Sequence, residues 1–260
     1  MDSRYRFLEE YSINHWPSLS TLMFDGWVLR FADGYTRRAN SISPLYPAGR
    51  GAGAETSMDV IEKIRHCERI YAENRLPTIF KITPGVHPAH LDRVLEERGY
   101  SLADTCCVLT LHWEQLPEPE PAAVTIDEGD GSEWMAHFCA ISGVTDRDTQ
   151  ILTRMLANMK ARKGLISLSH EGQVVACGLG VLEGDYIGLY NIVTAPSYRN
   201  QGFGKQLILN LLRWGQEHGA RHSYLQVVCS NAPALRLYGK LGYTETYRYW
   251  YRVKENLNIG

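Results

Sequence analysis

The chain has 260 residues, 44% of them hydrophobic and 22% charged, with a formal net charge of -2 at pH 7. That is ordinary globular composition, which argues against disorder and against a broadly basic surface for nucleic acid. No apolar run approaches the roughly 20 residues needed to span a bilayer, and Met1-Asp2-Ser3-Arg4 leads into no apolar signal core, so the expectation is a cytoplasmic protein with no membrane and no nucleic-acid partner.

In chain order, Gly26–Phe31 and Ala39–Leu45 read as strands around an Asp33-Gly34 turn. Residues 57–74 read as a helix, Thr78–Ile82 as a strand, His90–Arg98 as a helix, and Ser101–Trp113 as holding another strand. Trp27, Arg30, Tyr35, Arg37, Arg38 and Asn40 form a polar-aromatic group that either lines an acceptor pocket or stabilises a hairpin or a contact between halves. Arg50-Gly51-Ala52-Gly53-Ala54 reads as a flexible linker more readily than as the remnant of a phosphate loop, since Pro44 and Pro47 disturb its strand side. Leu116-Pro117-Glu118-Pro119-Glu120-Pro121 is stiff, extended and charged, and enters neither helix nor central strand. It predicts an N-terminal α/β domain over 1–115, a linker over 116–122 and a second domain over 123–260.

The second half is more regular. Ala123–Glu128 alternates as a strand, Trp134–Ile141 is a short helix opened by Ser132, and Thr145 or Asp146 caps a helix with Ile151, Leu152, Met155, Leu156 and Met159 on one stripe. Gly164–His170 and Gln173–Leu182 are strands joined by the two-residue hairpin signal Glu171-Gly172. Asp185–Thr194 is a third strand. Phe203, Leu207, Ile208, Leu211 and Leu212 then recur at helical spacing up to a His218-Gly219 stop. Tyr224–Val228, Asn231–Leu241 and Tyr243–Val253 follow as strand, helix and aromatic strand.

Six cysteines, at 67, 106, 107, 139, 177 and 229, form no Cys-x-x-Cys pair and sit mostly in apolar runs. They read as buried thiols rather than as disulfide or metal ligands, in keeping with a reducing compartment, and no metal is expected. Cys106 and Cys107 point to opposite faces of a strand, so they do not bond each other.

Between the third strand and the long helix lies Ala195-Pro196-Ser197-Tyr198-Arg199-Asn200-Gln201-Gly202-Phe203-Gly204-Lys205. Glycines at a helix start let backbone N–H groups converge, and with the positive end of the helix dipole they suit a pyrophosphate. Arg199 and Lys205 add positive charge there. Alone, such a loop is equally a tight strand-to-helix turn. The Arg-x-x-Gly-x-Gly run preceded by Val-x-x-Pro-x-Tyr resembles the acetyl-CoA loop of the GNAT superfamily of N-acyltransferases. Asn231-Ala232-Pro233-Ala234-Leu235-Arg236-Leu237-Tyr238-Gly239-Lys240-Leu241-Gly242-Tyr243 resembles the second signature of the same family.

The resemblance implies a mixed α/β fold of the GNAT type and an acetyl-CoA-dependent N-acetyltransferase. Its acceptor would be a primary amine on a small molecule, a peptide or a protein, and the protein a monomer or homodimer. Backbone amides of Arg199, Asn200, Gln201, Gly202, Phe203, Gly204 and Lys205 would hold the CoA pyrophosphate. Ile192, Val193 and Thr194 would pair with the pantetheine amides as one more strand, Asn231 would bond the cofactor near its pantetheine arm, and Tyr238 would protonate the leaving thiolate. The base stays open among Glu183, Asp185 and Tyr190. A non-catalytic acyl-CoA sensor and a longer-chain acyltransferase remain the alternatives.

Leu91–Tyr100 resembles the helix-Gly-aromatic ending of that second signature without its Asn and Tyr, which implies a degenerate GNAT-like N-terminal half in tandem with the other. Only a short tail follows Val253, so the family's usual final strand is either missing or supplied from elsewhere, and a strand of the N-terminal half is the candidate to complete the sheet.

Overall fold

The computed structural model describes residues 3–47, 59–120 and 122–255. The glycine-bearing segment 50–54 lies outside them. The chain packs as two compact units, one of Met1–Cys106 with Tyr247–Gly260, the other of Cys107–Thr246.

The first unit contains α1 (Ser3–His15), β1 (Ser20–Phe24), β2 (Trp27–Phe31), β3 (Ile42–Pro44), α2 (Val60–Glu73), β4 (Thr78–Ile82), α3 (Leu91–Glu97), the start of β5 (Ser101–His112) and most of β11 (Thr244–Lys254). Its strands run β1-β2-β3-β4-β11-β5. Ile64, Cys67 and Tyr71, at helical spacing on α2, meet Trp27, Leu29, Phe80 and Ile82 from the strands. The pairing of β11 with β4 is antiparallel, Trp250 opposite Ile82 and Lys254 opposite Thr78.

Neither α1 nor β1 is legible as a pattern in the sequence, and for α1 the reason is chemical. Its buried side carries Glu9, Ser12 and His15 beside Leu8, so the helical period is written in polar residues. Glu9 accepts from Lys81 Nζ and from the Tyr247 hydroxyl, each at 2.6 Å, which explains how a carboxylate tolerates burial. The polar-aromatic group resolves as a hairpin support. Arg30 donates to the carbonyls of Arg38, Ile13 and Trp16, while Asn40 accepts from the N–H groups of Ala32 and Gly34 and donates to the carbonyls of Tyr35 and Thr36.

The second unit holds the end of β5, then β6 (Ala123–Asp127), α4 (Ser132–Ser142), α5 (Asp146–Asn158), β7 (Arg162–His170), β8 (Gln173–Glu183), β9 (Tyr186–Thr194), α6 (Phe203–Glu217), β10 (His222–Val228), α7 (Ala232–Lys240) and the start of β11. Its strands run β5-β10-β9-β8-β7-β6. The elements expected over 123–253 are thus all present in order, and Thr145 caps α5 by accepting from the Asp148 N–H. The core joins Ile166, Leu168, Val175, Ile187 and Leu189 to Leu207, Ile208, Leu211 and Leu212 of α6.

Two features differ from the expected organisation. The strand Cys107–His112 belongs to the second unit, beside β10, with Leu109, Leu111 and Trp113 in its core. The segment 116–122 therefore does not mark the packing division. Glu118 and Glu120 lie against α6, where the Glu120 N–H donates to Gln206 Oε1 at 2.8 Å and Glu118 pairs with Arg213. The helix-Gly-aromatic resemblance has a structural counterpart: α3 ends with Gly99 at φ 81° and Tyr100 N–H bonded to Leu95 O, and α7 with Gly242 at φ 90° and Tyr243 N–H bonded to Tyr238 O.

Candidate active site

Strands β9 and β10 run parallel and pair only over Tyr186–Leu189 against His222–Leu225. Beyond Leu189 the next residues of β9 keep β8 as their neighbour, with Tyr190 opposite Leu179, Val193 opposite Cys177 and Thr194 opposite Ala176. Among the described residues no strand pairs the other side of 190–194, so the backbone of Ile192, Val193 and Thr194 presents an open edge. A β-bulge sits where the two strands part: Asn191 and Ile192 both oppose Gly178, and Asn191 has φ 50°. Gly178 makes room there for Ile192, whose Cδ1 would lie 2.8 Å from a Cβ at that position.

The edge leads through a 3-10 turn, Pro196–Tyr198, to the start of α6. Asn200 at φ 61° and Gly202 at φ 92° turn the chain so that α6 begins at Phe203. The Gln206 N–H makes the first intrahelical bond, to Gly202 O at 3.1 Å, which leaves the N–H groups of Phe203, Gly204 and Lys205 without an intrahelical acceptor. Side chains brace the turn: Arg199 Nε donates to Thr194 O at 3.1 Å and Gln201 Nε2 to Ser197 O at 2.9 Å. At Gly204 a Cβ would lie 3.4 Å from both Leu237 Cδ2 and Thr194 Oγ1, so α6, α7 and β9 meet there. Free N–H groups, a helix N-terminus, Arg199 and Lys205 together favour an anion. Beside the loop a cavity of about 470 Å³ is lined in part by His170, Phe203, Lys205 and Gln206.

Asn231 caps α7, its Oδ1 accepting from Ala234 N–H at 3.2 Å. Two turns on, Tyr238 is buried, its ring 5.7 Å from that of Tyr243. The Tyr243 hydroxyl is 2.6 Å from Ser223 Oγ, whereas among the described residues none bonds the Tyr238 hydroxyl. Burial pushes the Tyr238 phenol up to about 12.

Glu183 and Asp185 stand at the other end of β9 from the loop. They precede Tyr186 at the start of β9, while the loop follows Thr194 at its end, roughly 26 Å away along an extended strand. The backbone carbonyl of Asp185 accepts from the N–H groups of Arg221 and His222, and its carboxylate lies 3.5 Å from His222 Nε2. Tyr190 does lie where the strands part, with its hydroxyl 2.7 Å from that of Tyr224. Sequence reading overlooked Tyr224 and Asn191, though an Asn inside an apolar strand was a visible signal of a bulge.

A family model described as "Probable histone acetyltransferase Rv0428c C-terminal" matches residues 2–252. The chain belongs to this family. It is 29% identical to the uncharacterized N-acetyltransferase YobR of Bacillus subtilis (strain 168), over 96% of this chain and 98% of that one. Among solved structures, a GCN5-related N-acetyltransferase from Kribbella flavida superposes with TM-score 0.70 at 18% identity, covering 98% of this chain and 96% of that one. A tandem GNAT protein from the clavulanic acid biosynthesis pathway gives TM-score 0.66 at 12% identity, over 95% of this chain and 87% of that one. The protein is thus an acyltransferase of the GNAT superfamily, an N-acetyltransferase by family, and the GNAT fold extends over nearly its whole length.

One cysteine expectation is corrected in this GNAT protein. Cys107 of β5 and Cys229 at the end of β10 form a disulfide, with Cα atoms 5.6 Å apart. They are separated by 122 residues in sequence and become neighbours only because β5 lies beside β10, so spacing alone held no sign of the bond. The inference from unpaired thiols to a reducing compartment loses its premise. Cys67, Cys106, Cys139 and Cys177 are free. Thiol titration of the denatured, unreduced chain is expected to find four thiols, as against six after reduction. Reduction is expected to cost about 2–4 kcal/mol of stability in a urea titration. Among the described residues no group of three or more His, Cys, Asp or Glu is placed to hold a metal ion, and no helix is long and apolar enough to cross a membrane.

Proposed function

We propose that this GNAT enzyme transfers an acetyl group from acetyl-CoA to a primary amine by direct attack of the amine on the thioester. One observation carries the reading: an unpaired strand edge, Ile192–Thr194, runs from the point where β9 and β10 part to a helix start whose N–H groups lack intrahelical acceptors. The pyrophosphate would lie on the amides of the 199–205 loop with Arg199 and Lys205 as counter-charges. The pantetheine amides would bond the backbone of Ile192, Val193 and Thr194, and the free Nδ2 of Asn231 would reach the same arm. Bound acetyl-CoA supplies an activated acyl group with a thiolate leaving group.

Tyr238 would act as general acid on the sulfur. Its raised pKa keeps the proton in place at neutral pH, and its hydroxyl is not committed elsewhere, which supports catalysis over acyl-CoA sensing. The acceptor is an amine of a small molecule, peptide or protein. The phenols of Tyr190 and Tyr224 stand at the fork, where the attacking nitrogen must arrive. We also keep the sequence-defined catalytic region, 123–260, as the part that carries the signatures, completed by strand 107–112.

The reading is tested at Gly202. A β-branched residue is strained at φ 92°, so Gly202→Val would turn the loop amides away from their common point. Calorimetric titration with CoA is expected to show at least a tenfold weaker Kd, with the thermal transition little altered. Unchanged affinity would remove the loop from the donor site. Thiol release from acetyl-CoA across a panel of primary amines tests turnover directly, and binding without turnover on any amine would favour the sensor.

A further inference from the structure

β10 pairs with β9 only as far as Leu225, so Gln226, Val227 and Val228 keep β5 as their one strand neighbour among the described residues. A tight turn follows, with the Asn231 N–H bonded to Val228 O and the Ala232 N–H to Ser230 O, each at 2.9 Å. It leads into α7, a helix of 9 residues of which Tyr238 is the one buried residue. Ser230, Asn231, Ala232 and Pro233 are all exposed. Little apolar burial therefore fixes the first turn of so short a helix.

What fixes it is covalent. Cys229 lies between Val228 and the turn, and its bond to Cys107 ties the end of β10 to β5. Cys107 is buried, whereas Cys229 is half-buried. Both belong to the core that also contains Tyr238 and Tyr243. The bond thus sits where one side of the fork meets the start of the helix that carries Asn231 and Tyr238. The other four cysteines are placed elsewhere: Cys67 and Cys106 in the first unit, Cys139 on α4 and Cys177 on β8.

Resting on the donor reading above, we propose that the Cys107–Cys229 pair is a redox switch on acetyl-CoA binding. In the oxidised protein the end of β10 and the start of α7 are held in the geometry that accepts the pantetheine arm. A thiolate of a small dithiol attacks the sulfur of Cys229, the more exposed residue of the two. The S–S bond breaks, and the Cys107 sulfur leaves as a thiolate and takes up a proton. The second thiol of the reductant then displaces Cys229, so the protein gains two thiols and the reductant becomes a disulfide. With the tie gone, the exposed turn samples other positions, and the donor must order it on binding. Exchange with a small disulfide restores the bond. Linkage makes the coupling reciprocal: bound donor stabilises the disulfide by the same factor by which the disulfide strengthens donor binding.

Desulfo-CoA, which has no thiol to take part in exchange, is the probe. Calorimetric titration of the full chain is expected to give a Kd about tenfold weaker after reduction with dithiothreitol than before. In glutathione redox buffers, saturating desulfo-CoA is then expected to lower the reduction potential of the pair by about 30 mV, the same tenfold factor for a two-electron couple. Cys229→Ser should show the weaker affinity with or without reductant. Equal affinities in the oxidised and reduced protein would overturn the proposal. So would a dithiothreitol response that persists in Cys229→Ser, since the sensitive group would then lie elsewhere. Loss of the far-UV dichroism on reduction would also overturn it, because the bond would then hold the fold as a whole. Desulfo-CoA that binds neither state would instead overturn the donor reading itself.

Discussion

Tyr238→Phe is expected to lower kcat by about 10²- to 10⁴-fold, the usual contribution of a positioned general acid, while CoA affinity stays within a few-fold. The ring remains, so the packing against Tyr243 survives and the variant should fold. Only the hydroxyl goes, and it makes no bond among the described residues, so little stability is at stake. The pH profile supplies the sharper check. With its pKa raised by burial to about 12, the folded Tyr238 binds its proton more tightly than an unfolded tyrosine near 10. The acid therefore stays loaded across the ordinary assay range, and any alkaline limb below pH 10 belongs to another group. The same shift means that this residue's contribution to stability is complete below about pH 10 and is lost as pH climbs toward 12. A Tyr238→Phe enzyme retaining full kcat would transfer the acid role elsewhere.

A fragment of residues 122–260 is expected not to fold. Its sheet would lack Cys107–His112, and its core would lose Cys107, Leu109, Leu111 and Trp113. Burying such side chains is worth about 1.5–3 kcal/mol each, so their loss matches the whole net stability of a typical domain, about 5–15 kcal/mol. The fragment also leaves Cys229 without its disulfide partner. Far-UV circular dichroism and a urea titration decide the matter, and a cooperative transition with acetyltransferase activity would show that the strand is dispensable. Because the fragment also removes the strands that pair with the end of β11, Leu109→Ala in the full chain isolates the effect of β5. It is expected to cost about 2–5 kcal/mol.

How much of this was legible beforehand depends on whether the information is local. The element order from Ala123 to Val253, the loop at 199–204 and the cap at Asn231 are written in contiguous signals: apolar period, turn glycines, a capping side chain. The N-terminal helix Ser3–His15 was not legible, because its buried side is polar and is compensated by Lys81 and Tyr247, far away in sequence. The group around Arg30 and Asn40 was visible as a cluster but not as a purpose, since its partners are backbone carbonyls and N–H groups rather than side chains.

By itself, then, the amino-acid sequence determined that this is a mixed α/β chain with a GNAT-like strand-to-helix loop at 199–204 and an Asn231–Tyr238 pair two helical turns apart. Only the tertiary structure decided which strand lies beside β10, which cysteines meet, and where the bulge of β9 falls. The physical reason is that helix and turn signals arise between residues a few positions apart, whereas strand neighbours are chosen by burial across the whole sheet. Residues 107 and 229 are 122 apart along the chain and 5.6 Å apart in space.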